Sequence, residues 1–171
     1  MPEASSALSP AALEAEIARR LGSLTTLSLA TVDPQGAPCA AAVYFVHDEA
    51  LALYFLSART TVHGINLLAT PKVAATAHDE HQEWKTLSGL QLAGEAHPVG
   101  LIEFPQAARL YNRKYPFVDL LKAADDKAAL AKAMAATTIW KLVPTWIRLI
   151  DNARGFGFKQ ELALPRGPGA R

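Results

Sequence analysis

The short stretch Ser57 to His63 (SARTTVH) crowds hydroxyls from Ser57, Thr60 and Thr61 next to the guanidinium of Arg59 and the imidazole of His63. It follows an apolar run and opens a second apolar segment, Val62 to Ala69, which Thr60 or Thr61 can cap and Pro71 closes from beyond. Hydroxyls and backbone N–H groups at a helix start favour an anion, and Arg59 and His63 can supply charge. The chemistry this points to is capture of a phosphate-bearing cofactor. His63 alone equally suits capping or packing.

Other clusters read more blandly. His78-Asp79-Glu80-His81 places acids between two imidazoles, but at a strand end and polar loop the rings need not converge, so a solvated turn is expected and no metal site is assigned. Arg109, Tyr111, Arg113, Lys114 and Tyr115 form a basic-aromatic patch on one short helix, too small a footprint for nucleic acid in this chain. Gly155-Phe156-Gly157 lacks the third glycine and preceding strand of a dinucleotide fingerprint; it reads as a tight turn that places Phe156 or Lys159 near a cofactor or partner. Cys39, the only cysteine, excludes intrachain disulfides and cysteine-built zinc sites and reads as an inert core thiol.

The elements that must position these residues follow from periodicity and turn chemistry. Ser9-Pro10 opens a helix with Leu13, Ile17 and Leu21 on one stripe, ending near Gly22. Strands are expected over 25–32, 37–47 and 51–57, joined by the type I turn Asp33-Pro34-Gln35-Gly36 and by Asp48-Glu49-Ala50. The third is apolar enough to be buried on both sides. After the helix over 62–69, strands are expected over 73–78 and 87–99, with Gly94 as a bulge or bend. A helix over 104–115 is expected to bury Phe104, Ala108 and Tyr111, and further short helices over 117–121 and 126–136. A strand over 138–150 carries Pro144 at an edge or bulge, and a last strand runs to about Leu164. The opening hairpins leave no room for crossover helices, which makes the sheet antiparallel.

At 171 residues the chain reads as one domain over 1–164 with a disordered tail over 165–171. Hydrophobic residues make up 50% and charged residues 19%, a lightly charged surface that a partner subunit would cover in part. A formal charge of +1 gives no field to steer the protein to nucleic acid or an anionic membrane. No apolar run is long enough to span a bilayer, and the amino end lacks the basic start and apolar stretch of a signal peptide, so a cytoplasmic location is expected.

Several motifs carry a family resemblance. Ala30-Thr31-Val32-Asp33 with Gly36 and Pro38, then Phe55, Ser57, Thr61-Val62-His63 and Pro71, resemble the pyridoxamine 5'-phosphate oxidase-like family of FMN-binding split barrels. Gly89-Leu90-Gln91-Leu92-Ala93-Gly94-Glu95 looks like that family's dimer-facing strand. A narrower branch also shares Tyr111-Asn112-Arg113-Lys114-Tyr115-Pro116, and Asp151-Asn152 followed by Gly155-Phe156-Gly157. The resemblance implies a mainly β fold with flanking helices, an antiparallel six-stranded split β-barrel. It further implies a homodimer holding FMN between its subunits, with the phosphate on the loop of Ser57, Arg59, Thr60, Thr61 and His63. Val43, Tyr44, Trp84, Gln91 and Lys159 are the further cofactor contacts it suggests. The family oxidase uses four cations around its flavin; the matching positions here are Ala41, Val46, Val62 and His63, with Arg59 as a possible replacement. The expectation is therefore an FMN-dependent oxidoreductase other than the vitamin B6 oxidase, acting on a small molecule the sequence does not name and with no assigned catalytic side chain. A non-enzymatic flavin- or haem-binding module is the alternative.

Overall fold

A computed structural model of the protein describes residues 7–79, 82–116 and 125–165. Four helices and seven strands alternate among them: α1 (Pro10–Ser23), β1 (Thr26–Val32), β2 (Pro38–His47), β3 (Leu53–Ala58), α2 (Val62–Ala69), β4 (Lys72–His78), β5 (Ser88–Pro98), α3 (Phe104–Lys114), α4 (Lys127–Ala135), β6 (Thr137–Asp151) and β7 (Lys159–Ala163). The strands pair in the order β3-β2-β1-β4-β5-β6, and β3 also pairs with β6, which closes a six-stranded antiparallel barrel. β7 lies outside the barrel on β6. The helix expected over 117–121, Glu80, His81 and positions 166–171 lie outside the described residues. No described helix is long and apolar enough to cross a membrane.

Local chemistry sets the entry to each element. Ser9 Oγ accepts from the Ala12 amide at 3.3 Å and Pro10 occupies the first turn of α1. Asp33 Oδ1 accepts from the Gln35 and Ala37 amides, and Gly36 takes φ +90° to finish the β1–β2 turn. Asp48 performs the same service for the β2–β3 turn, accepting from Ala50 and Ala52. The αL position there is held by Leu51 (φ 62°), whose side chain is fully buried in the core.

The barrel interior and one face of α1 form a single core that includes Leu13, Ile17, Leu21, Leu29, Phe45, Phe55, Leu90, Trp140, Leu142, Ile147 and Leu149. The inward positions of β6 are even-numbered before Pro144 and odd-numbered after it. The change of parity is a bulge. Gly94 pairs with Pro144 and Ala93 with Trp146, so Thr145 is the extra residue. The bulged strand is thus β6, and Gly94 is the residue pressed against it: a Cβ there would lie 2.2 Å from the Val143 carbonyl oxygen. Pro144 also sits in the gap where one edge of β6 changes partner, from β3 (137–142) to β7 (146–150).

Two expectations are corrected. The buried face of α3 is Ala107 and Tyr111, with Leu110 partly covered; Phe104 is half exposed. This face packs on a second cluster of Val46, Ala52, Tyr54 and Ile139 on the outside of the barrel, and that surface decides which side of a weakly apolar helix turns inward. Cys39 is a half-buried thiol in the first half of β2, outside the core.

Candidate functional site

β2 and β3 pair only over Phe45–His47 and Leu53–Phe55. Beyond that point β2 runs on beside β1 to Pro38, while β3 runs on beside β6 to Ala58. The barrel is therefore forked between them. The register, extended past its last pair, sets Val43 and Tyr44 opposite Ser57 and Leu56 across the fork. Tyr111 closes its apex: its buried hydroxyl lies 2.8 Å from the Tyr44 carbonyl and 3.0 Å from the Tyr54 carbonyl, one on each diverging strand. Tyr115, one turn on, donates to the carbonyls of Thr25 and Phe45.

The Ser57–His63 loop is the far lip of this fork. Thr61 is the N-cap of α2: Oγ1 accepts from the Gly64 amide at 3.1 Å and donates to the Ala58 carbonyl at 2.8 Å. Ser57 Oγ, nearly buried, lies 3.0 Å from Thr61 Oγ1 and 2.6 Å from His63 Nε2. Thr61 gives its one proton to Ala58, so a hydrogen bond between the two hydroxyls has Ser57 as its donor, while the direction of the Ser57–His63 contact follows the tautomer of the ring. Burial holds the His63 imidazole below its ordinary pKa. At neutral pH it is thus an uncharged ring. Gly64 lets α2 start this close to the strand end, since a Cβ there would lie 2.5 Å from the Ala58 carbonyl oxygen. Asn66 Nδ2 donates to Thr31 Oγ1 in a buried contact that fastens α2 to β1.

The loop also carries donors without acceptors. The first intrahelical bond of α2 comes from the Ile65 amide to Thr61, and Thr61 Oγ1 takes the Gly64 amide. The Val62 and His63 amides ahead of them bond to none of the described residues. Arg59 and Thr60 are exposed on the turn, and the Arg59 guanidinium makes no hydrogen bond or ion pair among the described residues. Two backbone N–H groups, one hydroxyl and one guanidinium are the donor set a phosphate monoester uses, so the loop fits such a group.

The structure brings Ser57, Arg59, Thr60, Thr61, His63, Val43 and Tyr44 to this fork, and leaves three other predicted contacts away from it. Gln91 lies on β5, on the outward row Ala42, Ser28, Thr76, Gln91, about 14 Å across the sheet from Ala42 at the usual strand spacing. Its Oε1 accepts from Arg148 Nη1 at 3.1 Å. Trp84 is exposed at the other end of β5 and β6, on the order of 40 Å along β6 from Ser57's partner Thr138. There it meets the edge of Phe156 at 5.9 Å, and Asn152 joins the two loops by donating to the Trp84 carbonyl and accepting from the Gly157 amide. Lys159 is exposed on β7. His78 Nδ1 is 3.0 Å from the Asp79 carbonyl oxygen, and no three metal-ligating side chains converge among the described residues.

Sequence reasoning expected backbone N–H groups at this helix start without singling out the Val62 and His63 amides, and it missed Gly64 and the Tyr111 hydroxyl. Only Tyr111 left a signal, a tyrosine on the apolar face of a helix and hence in need of a buried hydrogen-bond partner.

Comparison with known proteins places this architecture. The family model for pyridoxamine 5'-phosphate oxidase matches residues 13–151. The UPF0306 protein YhbP of Escherichia coli O157:H7 is 27% identical over 121 residues, 71% of this chain and 73% of that protein. A haem-binding protein from Mycobacterium smegmatis has the same fold, with a TM-score of 0.67 at 20% identity over 88% of this chain and 57% of that one. HutZ, the haem storage protein from Vibrio cholerae, gives a TM-score of 0.58 at 24% identity over 77% of this chain and 89% of its own.

Proposed function

Because the chain belongs to the pyridoxamine 5'-phosphate oxidase family, we propose that it binds FMN at the β2–β3 fork and works as a flavin-dependent oxidoreductase in a homodimer. The observation that carries this reading is the unfilled donor set at the start of α2, the Val62 and His63 amides with Thr60 and Arg59. These groups would hold the phosphate. His63, kept neutral by burial, positions Ser57 and adds no charge, so Arg59 is the one permanent cation of the loop. A bound flavin supplies hydride and single-electron chemistry through its ring. The chain's part is to bind, orient and exclude water, with Val43 and Tyr44 on the near lip of the fork. Ala41, Val46 and Val62 stand at three of the four cationic positions that the family oxidase places around its flavin, and the cations with which that enzyme holds its substrate's phosphate have no clear match in this sequence, which supports a different substrate.

The outer barrel wall supports the homodimer. Ala40 and Ala42 of β2, Ser28 and Ala30 of β1, and Ala74 and Thr76 of β4 stand side by side in register and point outward. Val62, Ile65 and Leu68 of α2 add an exposed apolar ridge. A flat wall of small side chains lets a second sheet approach closely, and Gln91 on the same row would then face the partner.

Fluorescence titration tests the cofactor. A charge-assisted hydrogen bond contributes about 1.5–3 kcal/mol, so Arg59→Ala weakens FMN binding about 10- to 150-fold. Riboflavin, without the phosphate, binds weakly to the wild type and is indifferent to the substitution. Wild-type protein that fails to bind FMN refutes the proposal.

One observation favours a second reading. An uncharged imidazole is the form that ligates haem iron, and burial keeps His63 in that form. In that case a haem titration gives a shifted Soret band that disappears in His63→Ala.

A further inference from the structure

A cleft of about 970 Å³ lies between α1, the β2–β3 turn and α3, away from the loop of Ser57. Arg109 and Arg113 stand one turn apart on its α3 wall. Apart from Arg59 on the loop already described, the other arginines among the described residues are engaged: Arg19 and Arg20 with Glu16, Arg148 with Glu161, and Arg154 with Asp151. Arg109 and Arg113 bond to nothing among the described residues. α3 carries no acid within its length, so the two guanidiniums repel each other with no internal compensation. The C-terminal end of the helix dipole favours Arg113 but does little for Arg109 a turn earlier, and an anion between the two guanidiniums would offset their repulsion.

The rest of the lining narrows what that anion is. Lys114 is already used: its Nζ lies over the Phe45 ring and donates to the Leu21 carbonyl at 3.3 Å and to the Leu24 carbonyl, the last turn of α1. Asp48, on the opposite wall, is also used, with Oδ1 on the Ala50 and Ala52 amides and Oδ2 accepting from the Tyr54 hydroxyl. Glu49 is left facing the cleft with no partner among the described residues. Two unpaired cations on one wall and one unpaired carboxylate on the other suit a molecule with a single oxyanion head and an amino or uncharged far end. They disfavour a polyanion.

We propose that this cleft is a second ligand site, which takes a small organic molecule with one phosphate or carboxylate head on Arg109 and Arg113 and its far end toward Glu49. The test is calorimetric titration of the full-length protein with phosphoethanolamine and with 4-aminobutyrate, which separate a phosphate from a carboxylate head, and with citrate as a polyanion. At least one of the first two binds, and citrate binds more weakly. The double variant Arg109→Gln/Arg113→Gln loses at least about tenfold in affinity for the bound probe, since two charge-assisted bonds are removed. Its ligand-free thermal unfolding is unchanged or slightly raised, because both side chains are exposed, bond to none of the described residues and lose their mutual repulsion. Glu49→Gln narrows the gap between citrate and the other probes. Arg59→Ala leaves all three affinities unchanged, which separates this cleft from the FMN loop. Failure of both one-headed probes to bind the wild type overturns the proposal, as does undiminished binding in the double variant. A double variant that loses FMN instead shows that these arginines serve the cofactor, and equally overturns a second site.

Discussion

Tyr111 gives the sharpest test of how the fork is held. Its side chain is 2% exposed, and its single proton is shared between carbonyls 2.8 and 3.0 Å away on the two strands that part there. Tyr111→Phe keeps the ring and its packing on Val46, Tyr54 and Ile139 but removes the oxygen. The hydrogen bond it donates is lost together with the one it takes from the Leu56 backbone, and these backbone groups are left beside a ring edge that water reaches poorly. The bond contributes about 1 kcal/mol and the orphaned group costs about 1–3 kcal/mol, so with one proton shared between two acceptors the total is about 1.5–3 kcal/mol. For a chain of this size that is a fall in Tm of about 3–12 °C. Tyr115→Phe is the matched control. Its ring is only half-buried, and of its two acceptors the Thr25 carbonyl is exposed and the Phe45 carbonyl only partly covered, so water replaces the lost donor and the cost stays below about 1 kcal/mol. Urea unfolding followed by circular dichroism and tryptophan fluorescence, at one fixed protein concentration, measures both. A Tyr111→Phe cost below about 0.5 kcal/mol, or equal costs for the two variants, would refute the claim that this hydroxyl closes the fork.

Two further outcomes probe the barrel and its helix clasp. Gly94→Ala drives a methyl to within 2.2 Å of the Val143 carbonyl oxygen and 2.8 Å of Pro144 Cα, both backbone, so the urea midpoint falls by the equivalent of about 1–3 kcal/mol with the slope unchanged. Glu16 bonds Arg19 and Arg20, which hold its carboxyl down at about 2; its folded pKa lies below the unfolded value of about 4.5, so its stabilising contribution is complete above that pH and lost as pH falls toward 2. Glu16→Gln therefore lowers stability at neutral pH and flattens the acid limb between about pH 4.5 and 2; an acid limb identical to that of the wild type would show that the clasp contributes nothing.

Much of the fold was legible because it is set by neighbours in sequence. Asp33, Gly36 and Asp48 each solve a turn through amides within four positions, Ser9 and Thr61 cap the helices they precede, and Leu13, Ile17 and Leu21 lie on one stripe wherever α1 lands. The hairpins that result already exclude a parallel sheet. What a residue meets from another part of the chain was less legible. Gly94 and Pro144 marked a bulge, yet the extra residue, Thr145, is visible only once the two strands are set in register. α3 is polar enough that its own pattern set Phe104 and Ala108 beside Tyr111, and the outer wall of β2 and β3 kept Tyr111 but selected Ala107 in their place. Cys39 reads as core in an apolar strand, but it lies in the part of β2 that β3 has left.

The candidate site divides along the same line. Sequence alone determined the hydroxyl-rich loop, its place ahead of a capped helix and its lone arginine, because capping and anion affinity are properties of a few consecutive residues. Only the tertiary structure decided which of those groups remain available. It ties Ser57, Thr61 and His63 to one another, removes the charge from His63 by burial, and leaves the Val62 and His63 amides and Arg59 open. It also separates Trp84, Gln91 and Lys159 from the fork within one chain. A hydrogen-bond donor has a fixed number of protons and an imidazole one pKa at a time, so what each can offer a ligand depends on every group that folding has already placed beside it.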